Sequence, residues 1–154
     1  MRKLISASLL ACALLLTPTL HAQQNAIMIQ VLDGYTGVAI ARHAVFISIG
    51  PTPADAKARR NPIPTYTDER GILMLPLPSG APGWLQLWTS DMHACDLHPE
   101  TDDFSLAEIT SKGVQALNKC GKMSVKIAPA HFVLYMREFT AAERAATNRS
   151  SAAK

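Results

Sequence analysis

The stretch Asp91-Met92-His93-Ala94-Cys95-Asp96-Leu97-His98-Pro99-Glu100 gathers the side chains of this chain best suited to chemistry. Its His-x-Cys-x-x-His spacing sets two imidazoles around a sulfur. That is a donor set for zinc or copper, with the Met92 thioether as a soft extra ligand for copper. The competing reading is that Cys95 is spent in a disulfide, because a bridged sulfur has no thiolate to offer a metal. His93 and His98 then sit on a polar connection. The second reading is preferred, so no metal and no cofactor is expected.

A second constellation is Trp84-Leu85-Gln86-Leu87-Trp88. In a strand, Leu85 and Leu87 share one face while Trp84, Gln86 and Trp88 share the other. With the leucines on a core, two indoles flank an amide and make a candidate ligand face. Such a face suits stacking on sugar rings or anchoring a protein partner. Burial of both tryptophans under loops or a helix is the blander reading and is favoured, since large aromatics are highly buried on average. Hydrolytic motifs are missing: there is no Gly-x-Ser-x-Gly and no His-Glu-x-x-His. Ser151-Ala152-Ala153-Lys154 fits Ser-x-x-Lys only at the chain end, and Asn148-Arg149-Ser150 has the form of a glycosylation sequon. No catalytic residue is assigned and no enzyme is expected.

The start of the chain reads as an export signal. Arg2 and Lys3 precede an apolar run from Leu4 to Leu16, Pro18 breaks it, and Leu20-His21-Ala22 offers a cleavage site before Gln23. The run is shorter than the roughly 20 apolar residues of a membrane span. Leu9-Leu10-Ala11-Cys12 resembles a lipoprotein box, but apolar residues continue past Cys12, so cleavage after Ala22 is preferred over a lipid anchor. Cleavage removes Arg2 and Lys3 from the 15 basic residues, leaving 13 against 12 acidic ones. A net charge of +1 lacks the footprint of nucleic-acid binding. Of the three cysteines, Cys12 leaves with the signal, so Cys95 and Cys120 remain to pair in an oxidising compartment.

What must position these groups is mostly strand. Ile27, Ile29 and Val31 alternate with Met28, Gln30 and Leu32, and Val45, Ile47 and Ile49 with Ala44, Phe46 and Ser48. Further strands are expected over 72–77, 84–89, 123–128 and 132–137. Residues 51–64 hold four prolines and a charged insert and read as an exposed loop, even though Thr52-Pro53 could start one helical turn. Residues 90–103 read as an acidic connection. Ser105 and Glu108 form a capping box, with Phe104 and Ile109 as its staple, and Gly113 is a stop; they predict a helix of about two turns. Thr140 and Glu143 form a second box, on a segment read as a frayed tail over 140–154.

Asp33, Thr36, Gly37, Ile40, Ala44 and Val45, followed by Thr67, Asp68, Gly71 and Leu73, carry a family resemblance. Residues 27–77 resemble the bacterial carboxypeptidase regulatory-like domain, with Ala39 and Leu73 standing where that family usually has proline and phenylalanine. The resemblance implies an all-β, seven-stranded-type Greek-key β-sandwich of transthyretin-like topology, here over 23–139 with one short helix. It implies a non-catalytic scaffold or interaction module. Transthyretin-like folds also host iron dioxygenases with two Tyr and two His, but Tyr35, Tyr66, Tyr135, His43 and His131 fall in no such paired spacing. The expected function is therefore an exported, non-enzymatic binding or structural module of the cell envelope. The alternatives are a carbohydrate-binding module using Trp84, Gln86 and Trp88, and a periplasmic metal-binding protein using His93 and His98. The expected partner is an envelope protein or a carbohydrate, with no membrane span in the mature chain and the oligomeric state left open.

Overall fold

A computed structural model describes residues 26–77, 83–96 and 103–145. The expected signal segment 1–22, His98 and residues 146–154 lie outside the described residues. Among the described residues the chain is β-rich, with two sheets and short helical segments. The first sheet has the order β4 (Ile72–Pro76), β1 (Ala26–Asp33), β9 (His131–Glu138), β6 (Met92–Ala94), and β8 (Val114–Gln115) also pairs β9. β1 runs parallel to β9 and antiparallel to β4. The second sheet is antiparallel, in the order β3 (Ile63–Tyr66), β2 (Ala44–Gly50), β5 (Trp84–Trp88), β7 (Phe104–Ser105).

Alternation explains how the sheets face each other. Ile27, Ile29 and Val31 from β1, and Phe132, Leu134 and Met136 from β9, meet Val45 and Ile47 from β2 and Leu85 from β5 in one buried cluster. This sandwich-like core is closed at one end by Leu106 and Ile109 of helix α2 (Leu106–Lys112). The Ser105 hydroxyl accepts from the Glu108 N–H at 3.4 Å, as the capping box requires. The Glu108 carboxylate binds Lys112 at 2.9 Å instead of reaching back, so only half of the box forms. Gly113 ends the helix at φ +78°, where an added Cβ would lie 2.2 Å from the Ala128 carbonyl oxygen.

The opposite face of β9 has its own small core. Val133 and Tyr135 point away from the main cluster and pack with Leu32 and Cys95, and Val125, Ile127 and Cys120 close over them. Cys95 and Cys120 are bonded, with Cα atoms 5.2 Å apart. Here the expectation of a strand over 123–128 is corrected: the segment is no strand. Its alternation is real, because Val125 and Ile127 face this outer core, but no ladder forms along it. The reading of 51–64 as loop is corrected too. Pro53–Lys57 is a helical turn, α1, whose Thr52 hydroxyl accepts from the Asp55 N–H at 3.2 Å, and Ala56 is buried against the second sheet. The connection 90–103 contains β6. Residues 141–145 are helical and carry the second capping box, with the Thr140 N–H donating to Glu143 at 2.7 Å and the Glu143 N–H to Thr140 at 3.3 Å.

Candidate functional site: a cleft beside the Asp33 turn

The turns at one end of the sheets are built from the residues that carried the family pattern. Asp33 Oδ1 accepts from the Tyr35 N–H (3.1 Å), the Thr36 N–H (2.8 Å) and the Thr36 hydroxyl (2.8 Å), and Gly37 supplies the left-handed residue at φ +73°. Burial alone would raise the Asp33 carboxyl, but the Thr36 and Tyr35 bonds outweigh it and hold the group below its ordinary value. Asp68 organises the next turn, accepting from Arg70 and Ile72 at 2.8 Å each, and Gly71 sits at φ +70°. Thr67 ties that turn to the strand ahead of it. Its hydroxyl donates to the Ile40 carbonyl at 2.7 Å and accepts from the His43 N–H at 2.9 Å.

A cleft of about 860 Å³ opens beside these turns. Val38, Ala39, Ile40, Met92 and Phe139 give it apolar walls, and Asp33, Asp91 and Glu138 give it carboxylates, with Arg144 and His43 among them. His43 Nε2 lies 3.0 Å from Asp91 Oδ1, a close contact whose direction falls short of an aligned hydrogen bond. Arg144 lies 3.8 Å from Glu138. Behind the cleft, Arg137 grips Glu143 through two bonds of 2.8 and 2.9 Å. The Arg137 bonds first, then those with Thr140, hold the Glu143 carboxyl well below the usual carboxylate range. The turn itself is fastened from behind: the Asn118 amide donates to the Gly34 carbonyl at 2.9 Å, and a Cβ on Gly34 would lie 2.2 Å from Cys95 Sγ.

The sequence-selected residues fall elsewhere. Cys95 and Cys120 form the disulfide, so Cys95 offers no thiolate to a metal. His93 is half-buried, edge-on to Phe139 with centroids 4.2 Å apart and 3.7 Å from Glu143. Desolvation and the nearby Arg137 lower its pKa against the opposing pull of Glu143. Among the described residues no cluster of three or more His, Cys, Asp or Glu is arranged to hold a metal ion. Trp84, Gln86 and Trp88 do share the face of β5 away from Leu85, but that face is not open. Gln86 is 1% exposed and accepts from Arg59 Nε at 3.0 Å. The Arg59 guanidinium lies 4.4 Å from the Trp88 ring centroid, and Phe46 stacks beside Trp88 at 5.7 Å. Both indoles are half-buried.

Sequence reasoning missed the cleft, because its walls come from 33–43, 90–92 and 138–144 and no local spacing joins them. The only signal was the turn motif itself. No family model, curated protein or solved structure matches this chain.

Proposed function

We propose that this protein is an exported, non-enzymatic binding module of the cell envelope whose partner engages the cleft beside the Asp33 turn. The observation that carries the reading is the lining: apolar walls with a few carboxylates in a concavity of a size usual for ligand sites. Its polar groups are largely engaged in holding the fold's turns. Asp33 serves Tyr35 and Thr36, and Arg144 faces Glu138. The hydrogen-bonded Asp33 turn gives the cleft one pre-ordered edge, where little freedom is lost on binding. The motif residues that shape the turns support a Greek-key sandwich of the carboxypeptidase regulatory-like, transthyretin-like kind, and that likeness supports an interaction role by analogy. Export rests on the basic and apolar pattern of residues 1–22, and a disulfide suits an oxidising compartment.

Hydrogen exchange with and without an extract of the producing cell's envelope tests the site. Protection gained at 36–43 and 90–92, with 72–76 unchanged, is the expected result. Unchanged exchange at both cleft segments contradicts the reading.

A further inference from the structure

We infer that the Trp88 face of the second sheet is a carbohydrate site that Arg59 occupies in the free protein, its guanidinium standing where a pyranose ring would stack. The site shares no lining residue with the cleft and does not depend on it. Phe46 and Trp88, paired across β2 and β5, are stacked with their planes 20° apart. Phe46 stacks against one side of the Trp88 ring and steadies it, and the other indole face is of the kind on which the C–H face of a sugar ring packs. Over Trp88 lies a group from outside the sheet, the Arg59 guanidinium at 4.4 Å.

Arg59 ends α1 in the left-handed region at φ +50°, its N–H bonding the Ala56 carbonyl at 3.3 Å. One feature marks its guanidinium as a replaceable cover. Beneath it, Gln86 is almost fully buried, and its Oε1 accepts from Arg59 while its Nε2 has no acceptor. A buried amide donor left unpaired is costly and rare in folded proteins. A bound sugar answers that need. Its ring replaces the guanidinium on the indole, and a hydroxyl or acetamido carbonyl oxygen accepts from Gln86 Nε2. The half-buried Trp84, at the other end of the same face of β5, offers a second stacking surface to an oligomer.

Arg59→Gly removes the cover and suits the positive φ, so the fold is kept; Arg59→Ala serves as a second variant. Tryptophan emission, which comes from Trp84 and Trp88 alone, is titrated with chitohexaose and with cellohexaose. Saturable binding by at least one oligomer is expected, with Kd lower by about 10-fold or more in either variant than in the wild type, because the uncovered fraction scales apparent affinity. Trp88→Phe in the Arg59→Gly background should weaken that binding several-fold. The proposal is overturned if neither oligomer gives a saturable change in the Arg59 variants. It is equally overturned if their Kd equals the wild-type value, or if Trp88→Phe leaves binding unchanged.

Discussion

At the scale of single residues, two side-chain environments make sharp predictions. His131 opens β9, is 8% exposed, and its Nε2 has no partner. Desolvation lowers its pKa below the ordinary 6.5. As pH falls through that range, the unfolded chain takes up a proton that the folded chain resists, so stability declines toward acid. His93 acts in the same direction. Thermal melts should therefore show lower stability at about pH 5 than at about pH 7, and His131→Gln should flatten part of that slope. An unchanged slope in the variant would show that His131 is not the group responsible. Gly34 is the second case. With Cys95 Sγ 2.2 Å from the position of its missing Cβ and Asn118 Oδ1 at 2.9 Å, Gly34→Ala should cost about 1–3 kcal/mol by overpacking, read as a lowered Tm.

At the scale of elements, α2 depends on its first turn. A seven-residue helix is marginal alone, so its cap and its two buried residues, Leu106 and Ile109, hold it in place. Ser105→Ala should remove the hydroxyl acceptor of the Glu108 N–H and lower stability by about 1 kcal/mol in chemical denaturation. An unaltered midpoint would mean that the cap contributes nothing. The elements that could be read in the sequence are those long enough to show a period. β1, β2, β4 and β5 announce themselves as strands, β9 by an unbroken apolar run buried on both faces, and α2 by its caps. β7 and β8, of two residues each, and β6, of three, are too short for any pattern; they exist because β5 and β9 present edges to pair with. Residues 123–128 show the converse. Alternation at Val125 and Ile127 reports a face packed on Tyr135 and Val133, and packing alone does not make a ladder. The Trp84–Gln86–Trp88 face was legible as a face. Its cover was not, because Arg59 arrives from 27 residues earlier.

At the scale of the whole molecule, the disulfide and the cleft belong to one arrangement. The bridge spans 25 residues and is worth about 3.5 kcal/mol by chain entropy, appreciable beside a small domain's roughly 5–15 kcal/mol. It also holds the segment that backs the Asp33 turn, through Asn118 and Gly34. A wall of the cleft is thus braced by a bond suited to an oxidising compartment. The central claim is that a partner of this module docks there. Val38 and Met74 are similarly exposed, at 64% and 59%, but only Val38 lines the cleft. A photo-crosslinking residue is placed at each in turn in the producing cells. The account predicts a discrete adduct from position 38 that disappears when Ala39→Trp fills the cleft, and none from position 74. No adduct from position 38, or one that survives the filled cleft, would contradict it.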